Sequence, residues 1–321
     1  MQQSTEPTVP AVPKVRPLRR TSRRGRREAL IGWTFALPFF ALFCLVFLTP
    51  ILYSVWEAFF KEKASGGGAY GGGELVRVFS GLENYAAVAT NPAFWTGMGR
   101  VILFGVFQIP IMILAAMFLA LLLDSYLVRR PGTWRLLYFL PFAIPGLIAA
   151  IMWGYLYIPE VSPFAGSLPP IEGQPFFLSP PVLLASMANM TTWTYTGYNM
   201  LIFLAALQAI PADLYEAARI DGASGWQITT KIKIPLIRGA ALLAVLLSII
   251  GTIQLFNEPT VMRTIASWMG NDYTPMMMAY NTMMGSITPS GAGPASAISI
   301  LMALVAGVLA VIYALVQRKA D

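Results

Sequence analysis

The chain has 321 residues, of which 56% are hydrophobic and only 12% are charged, about half the charged fraction of an average soluble domain. This composition places it among membrane proteins. It contains no histidine, which removes the commonest general base and transition-metal ligand, and its single cysteine, Cys44, excludes an intrachain disulfide and a thiolate metal cluster.

The first 28 residues are rich in proline and then strongly basic, with the run RRTSRRGRR. We predict that 1–28 is a disordered cytoplasmic tail, because such a composition buries too little apolar surface to fold. Beside a membrane span, the run favours contact with anionic lipid over nucleic-acid binding, since the cytoplasmic leaflet attracts Lys and Arg. No nucleic-acid partner is expected.

Six apolar stretches follow in 29–321, each close to the 20 or so residues that a helix needs to cross the hydrocarbon. Prolines inside them do not exclude helices, because neighbouring helices satisfy the freed backbone groups. The first stretch is too long for a typical signal peptide and lacks an A-x-A site, which favours an uncleaved helix. The expected fold is an all-α polytopic membrane protein with six transmembrane helices, at approximately 33–56, 97–123, 136–158, 181–209, 237–257 and 295–316.

The positive-inside rule fixes the predicted orientation. With both termini in the cytoplasm, seventeen of the 22 Lys and Arg residues fall in cytoplasmic segments and five fall outside. The glycine-rich stretch at 65–73 then lies outside. It lacks the Lys-Ser/Thr of a phosphate-binding loop and reads as a flexible loop tip.

A charged island, DLYEAARIDGASGWQITTKIKIPL, separates the fourth and fifth spans at 213–236. Asp213 and Glu216 have the spacing of a capping box, which predicts the start of a helix. Gly222 suits the left-handed residue that ends one. The island therefore begins with a short helix and a tight turn.

A second capping box, Ser224 with Gln227, predicts another short helix that ends at about Ile232. Pro235 is expected to break this helix and to open the fifth span. Such a projection either lies on the lipid surface or binds a cytoplasmic partner. Its first helix carries three acidic residues against one basic residue, which suits an anionic membrane poorly and favours a partner.

The sequences EAARIDGASGWQ and IKIPL resemble the EAA loop of binding-protein-dependent ABC importer permeases, particularly the carbohydrate-uptake subfamily of the maltose permease subunits. LQAIPADLYEAA before the loop and GPASAIS at 293–299 extend the resemblance. It implies a type I ABC importer permease core in a bacterial inner (plasma) membrane, with the island as the coupling helix that binds the ATPase. The residues that match the loop pattern, and to which the resemblance assigns this coupling, are Glu216, Ala217, Ala218, Asp221, Gly222, Ala223 and Pro235.

The resemblance also implies partners: a second homologous permease subunit, an ABC ATPase dimer and an extracytoplasmic solute-binding protein that delivers a sugar. The chain has no Walker sequence G-x-x-x-x-G-K-[ST], so we expect it not to be an enzyme. ATP and Mg²⁺ would be used by the separate ATPase, and this chain would bind no cofactor and no metal.

Polar side chains inside spans are costly and mark candidate substrate pathways. Four in the fourth span have the spacing of one helix face, and the subfamily places sugar contacts on the fourth and fifth spans. Neutral hydrogen-bonding groups beside aromatic rings suit an uncharged, hydroxyl-rich ligand, although the same groups also hydrogen-bond neighbouring helices in many proteins. The candidates are Thr191, Tyr195, Tyr198, Asn199, Ser248, Thr252 and Gln254.

The expected function is therefore import of a sugar, either an oligosaccharide or a disaccharide. The alternative cargo is a glycerol phosphodiester or phosphate ester, but the span interiors offer no basic residue to bind it. A secondary transporter would often carry an intramembrane carboxylate, and a membrane enzyme would need a catalytic constellation; the span interiors contain neither. The methionines at 276–278, 283 and 284 are expected outside the spans, as an apolar surface toward a partner.

The predicted orientation can be tested by cysteine labelling. In a Cys44→Ala background, Gly71→Cys should react with an impermeant maleimide in intact cells, and Gly222→Cys should react only after the membrane is opened. Labelling of position 222 from outside would contradict the orientation.

Overall fold

The computed structural model describes residues 22–65, 75–125, 128–162 and 165–320. Those residues are mainly α-helical, with one two-stranded sheet. Most of the predicted tail and of the glycine-rich loop tip, residues 1–21 and 66–73, lies outside the described residues. The chain divides into two units, 1–53 and 54–321.

The first unit is helical over its described part. Helix α1 covers Ser22–Phe43, a π-helical turn covers Cys44–Leu48, and α2 begins at Thr49 and ends at Glu57. The Thr49 hydroxyl donates to the carbonyl oxygen of Cys44 at 2.9 Å, the same oxygen that accepts the Thr49 N–H in the π turn. α1 starts at Ser22, within the predicted tail 1–28, so its first turns extend into the basic run.

The second unit contains a β-hairpin and the remaining helices. Strands β1 (Phe60–Ala64) and β2 (Leu75–Phe79) pair antiparallel, with Phe60 opposite Phe79. Short 3-10 turns at Ala165–Ser167 and Phe176–Leu178 precede α7. The helices are α3 (Glu83–Ala89), α4 (Pro92–Leu123), α5 (Pro131–Ala143), α6 (Gly146–Tyr157), α7 (Leu183–Gln208), α8 (Ala212–Ile220), α9 (Gly225–Ile228), α10 (Ile234–Leu236), α11 (Arg238–Ile253), α12 (Asn257–Ile265), α13 (Pro275–Met283) and α14 (Ala292–Ala320).

Within the described residues, three helices are long and apolar enough to cross a membrane: Arg27–Glu57, Pro92–Leu123 and Ala292–Leu315. Three further pairs of helices meet at bends of 93°, 68° and 57°, and counting each pair as one broken span gives up to six spans. The all-α polytopic fold class is thereby confirmed.

The third predicted span, 136–158, is wrong as a continuous helix. α5 and α6 meet at 93°, with Ile144 and Pro145 extended between them at ψ values of 129° and 130°. A proline disfavours the helical conformation of the residue before it, so Pro145 ends α5. The fifth span is also shorter than predicted, since α11 ends at Ile253 and not at 257.

The core consists of three clusters of buried side chains. One lies among α6, α7, α12 and α13, the second among α4, α7 and α11, and the third among α3, α4, α13 and α14. Methionine and alanine are frequent in all three, as expected where helices approach closely and irregular gaps must be filled. Representative members are Met187 and Met262, Ala116 and Phe203, and Met98 and Ala297.

The predicted methionine surface is wrong in part. Met277 and Met278 lie in the core, because α13 packs against α14 and α4 instead of standing free. Met283 and Met284, at the end of α13, are exposed as expected.

The closest approach between α5 and α7 occurs at Gly197. A Cβ atom built there would overlap the backbone carbonyl of Tyr138. Only glycine therefore allows the backbones of α5 and α7 to come this close. The contact fixes the position of α7 relative to α5.

Replacing Gly197 should separate these helices. Gly197→Ala should destabilise the purified protein by about 1–3 kcal/mol, the usual cost of overpacking. The matched control is Gly99→Ala in α4, where an added Cβ meets nothing within 4 Å and should be neutral or stabilising. Thermal unfolding in detergent compares the two, and equal melting temperatures would contradict the close approach.

Candidate functional site

A cavity of about 210 Å³ lies among α4, α7, α11 and α12. All seven residues predicted for the substrate pathway line it, namely Thr191, Tyr195, Tyr198, Asn199, Ser248, Thr252 and Gln254. The structure thus brings together residues that the sequence separates by more than 50 positions. Their role in a pathway stays a prediction.

Three of these seven side chains bond to nearby protein groups. The hydroxyl of Thr191 donates to the carbonyl oxygen of Met187 at 3.2 Å, and that of Ser248 donates to the carbonyl of Ala244 at 2.8 Å. The amide of Asn199 donates to the carbonyl of Tyr195 at 3.0 Å. For these three, local hydrogen bonding accounts for the presence of a polar group in the helix.

Tyr195 and Tyr198 are arranged differently. Phe142 of α5 stacks on Tyr198 with ring centroids 4.6 Å apart and meets Tyr195 edge-on at 5.8 Å. Within the described residues neither hydroxyl has a hydrogen-bond partner, and the same holds for the side chains of Thr252 and Gln254. The rings are therefore fixed while their polar ends remain available to a ligand.

Gly105 brings α11 close to α4 at this cavity. A Cβ atom added there would lie 3.1 Å from the Cγ2 atom of Thr252. The small residue therefore lets α11 approach α4 closely at Thr252, which is one of the residues that line the cavity.

The sequence analysis missed the contribution of α4. Phe104, Gln108 and Met112 are buried and line the cavity. The Gln108 amide donates to the Met112 sulfur at 3.3 Å. A lone amide in an otherwise apolar span was the available signal, since buried polar groups in a membrane are costly.

It also missed Asn257 and Glu258 of α12, which line the same cavity. Because α11 stops at Ile253, the chain turns back and the first turn of α12 reaches the cavity. The carboxyl group of Glu258, which lies just beyond the predicted fifth span, therefore reaches the cavity from α12. Burial raises the pKa of the Glu258 carboxyl above its ordinary value.

The charged island folds as two short arms. α8 ends before Gly222, whose φ of +81° is the left-handed conformation predicted from the sequence. The N–H of Ala223 donates to the carbonyl of Ala218 at 2.9 Å and closes the turn. Glycine adopts this conformation without a steric penalty.

The capping box of the second arm is confirmed. The N–H of Ser224 donates to Gln227 Oε1 at 2.8 Å, and the N–H of Gln227 donates to Ser224 Oγ at 3.3 Å. Both bonds satisfy backbone donors that the start of a helix leaves free.

Two local predictions for the island are wrong. α8 starts at Ala212 with Pro211 as its N-cap and no side-chain cap, so Asp213 lies within the first turn, where its charge still suits the positive helix end.

Pro235 does not break the second arm. This arm continues as a π turn and α10 to Leu236 and bends by 57° at Ile237. Within this turn the N–H of Ile234 donates to the carbonyl of Thr229, five residues back, as in a π-helix.

The island is strongly exposed. Glu216, Ala217, Asp221, Gly222 and Pro235 are all exposed, and Ala218 and Ala223 are half-buried. Two large apolar side chains that the sequence analysis did not single out, Ile220 and Trp226, keep 86% and 76% of their surface exposed. Apolar groups displayed on a charged projection are typical of a protein-binding surface.

Comparison with known proteins gives a consistent picture. The sequence profile of the family described as "Binding-protein-dependent transport system inner membrane component" matches residues 28–321. The lactose transport system permease protein LacF of Rhizobium radiobacter is 33% identical over 71% of this chain and 74% of its own length.

Two other relatives show a similar level of identity. The trehalose/maltose transport system permease protein MalF of Thermococcus litoralis is 28% identical over 74% of this chain and 78% of its own length. The arabinooligosaccharides transport system permease protein AraP of Bacillus subtilis is 29% identical over 71% of this chain and 70% of its own length.

Two solved structures share the fold. One is a bacterial ABC transporter involved in the import of the acidic polysaccharide alginate, with a TM-score of 0.68 and 18% identity over 92% of this chain and 98% of that one. The other is a bacterial alginate ABC transporter in complex with an alginate pentasaccharide-bound periplasmic protein, with a TM-score of 0.66 and 19% identity over 93% and 98% of the two chains. At this identity the likeness is one of fold.

Proposed function

Because the chain belongs to the family of binding-protein-dependent transport system inner membrane components, we propose that it is the membrane-spanning permease subunit of an ATP-driven importer of a neutral oligosaccharide or disaccharide. It is a multi-pass protein of the inner membrane and a transport component. The observation that carries the proposed cargo is the cavity, where tyrosine, threonine and glutamine side chains leave hydrogen-bonding groups available.

The chemistry of the cavity matches a hydroxyl-rich ligand. A sugar that leaves water loses a hydrogen bond at each hydroxyl and needs a partner for each. Tyr195, Tyr198, Thr252 and Gln254 supply both donors and acceptors beside an aromatic surface. The names of the relatives, which refer to lactose, trehalose or maltose, and arabinooligosaccharides, support the same class of cargo.

The charge of the cavity argues against the alternative cargo. Among the described residues that line it, none is Lys or Arg, and Glu258 is the single acidic group. A phosphodiester or a uronate would find no cation among these lining residues to pair with its negative charge. The alginate importers share the fold, but no acidic cargo follows from that likeness.

The partners proposed from the family are a dimeric ATPase, a second permease subunit and an extracytoplasmic binding protein. The exposed acidic residues Glu216 and Asp221, with Ile220 and Trp226, would contact the ATPase. ATP and Mg²⁺ would be used by that subunit, and this chain would bind no cofactor. The alternative of a secondary transporter is excluded by membership of this family. An absence of acidic residues no longer serves as the argument, because Glu258 lines the cavity.

The cavity can be tested at one hydroxyl group. Tyr198→Phe keeps the ring that stacks on Phe142 and removes only the hydroxyl, so assembly should be normal. Loss of one hydrogen bond to a desolvated sugar costs about 0.5–1.5 kcal/mol, up to about tenfold in apparent affinity. The assay is uptake of radiolabelled lactose, maltose, trehalose and arabino-oligosaccharides by cells, with glycerol 3-phosphate as the anionic comparator.

The matched control is Tyr155→Phe, which removes the hydroxyl of an exposed tyrosine of α6 away from the cavity and should leave uptake unchanged. Preferred uptake of glycerol 3-phosphate, undiminished in Tyr198→Phe, would overturn both the cargo and the site.

The island can be tested at its turn. Gly222→Val places a β-branched residue at a φ of +81°, which costs about 1–2 kcal/mol and should abolish uptake while membrane insertion persists. Gly222→Asn is the matched control, because asparagine tolerates this conformation. Glu216→Lys reverses an exposed charge and should weaken co-purification of the ATPase. Wild-type uptake in both Gly222→Val and Glu216→Lys would show that the island only connects the fourth and fifth spans.

A further inference from the structure

An ion pair joins the end of α4 to the island. Lys233 Nζ lies 2.6 Å from Asp124 Oδ2, and the two side chains keep only 15% and 18% of their surface exposed. We propose that this pair positions the island relative to α4, so that Asp124 and Lys233 are positioning residues for the coupling of ATP hydrolysis to transport. The proposal rests on the function proposed above, in which the island binds the ATPase.

The place of Asp124 in its helix indicates that the pair is specific. Asp124 is the C-cap residue of α4, where its N–H donates to the carbonyl of Ala120 and its side chain takes no part in capping. A carboxylate at the negative end of a 32-residue helix is unfavourable. Lys233 offsets that cost, and partial burial protects the attraction from screening by salt.

The same lysine also contacts the other arm of the island. Lys233 Nζ lies 5.3 Å from the centroid of the Tyr215 ring, in cation–π contact with α8. Burial, and after it the charge of Asp124, raise the pKa of the Tyr215 hydroxyl. One lysine therefore connects α4, α8 and the π turn of the second arm.

Packing does not make this connection redundant. A cavity of about 480 Å³ lies between the island and the ends of α4 and α7, lined by Asp124, Gln208, Tyr215 and Lys233 among others. Because side chains do not fill this space, the ion pair supplies a direct attraction between α4 and the island. The ion pair bridges this gap.

α4 also lines the candidate substrate cavity. Phe104, Gln108 and Met112 line that cavity, and the same helix continues without interruption to Leu123 beside Asp124. The twelve positions from Met112 to Asp124 span about 18 Å of helix. A shift of α4 when cargo enters would therefore reach the island through Lys233, in addition to the covalent routes through α7 and α11.

The test separates positioning from folding. The importer is reconstituted in lipid nanodiscs with its ATPase, partner permease and binding protein, and ATP hydrolysis is measured with and without the binding protein plus lactose, maltose or trehalose. Lys233→Met keeps the apolar stem and removes the charge, and Asp124→Asn removes the opposite charge. We expect each to lower the stimulated rate and uptake by roughly three- to tenfold, the range typical of coupled contacts, with unstimulated hydrolysis and assembly retained.

Two rescues and one control complete the design. Lys233→Arg should keep wild-type stimulation, and the charge swap Asp124→Lys with Lys233→Asp should restore at least half of it. Glu83→Gln breaks another 2.6 Å ion pair, with Lys61, far along the chain from the island, and should have no effect. If Asp124→Asn fails to assemble, the comparison of Lys233→Met with Lys233→Arg decides alone.

Wild-type stimulation in Lys233→Met, or a charge swap no better than the single variants, would overturn the proposal. If Gly222→Val and Glu216→Lys abolish uptake while Lys233→Met does not, the island still couples and only the ion pair is refuted. If none of these variants affects uptake, the proposed binding of the ATPase by the island is refuted, and the role of the ion pair is refuted with it.

Discussion

Inside a bilayer every backbone N–H and C=O must find a partner within the protein, and this constraint shapes the rest of the molecule. Helices satisfy it over most of the chain. Where a helix stops, as at Ile144 or Ile253, the freed groups must face protein or a water-filled space. The break at Ile253 lies beside the candidate cavity, and it is what brings Asn257 and Glu258 to the cavity wall.

Properties that belong to a single helix were predictable from the sequence. The spacing of Thr191, Tyr195, Tyr198 and Asn199 predicted one face of α7, and the structure places all four on one cavity. The turn at Gly222 and the capping box at Ser224 were predictable for the same reason, since each depends on residues within one helical turn.

Properties that depend on contacts between distant segments were not predictable. The close approach of Tyr138 to Gly197 joins two residues about 60 positions apart. Glu258 was missed because the sequence placed it beyond the end of a longer fifth span. Met277 was assigned to the surface because its burial requires α14, which follows later in the chain.

The separation of the cavity from the island has an evolutionary consequence. The available hydroxyls of Tyr195 and Tyr198 lie on α7, whereas the exposed loop residues Glu216 and Asp221 lie on a different helix beyond its end. A substitution at either tyrosine leaves the exposed surface of the island unchanged. Selection can therefore alter the cavity in duplicated copies of such a gene while the island keeps its surface.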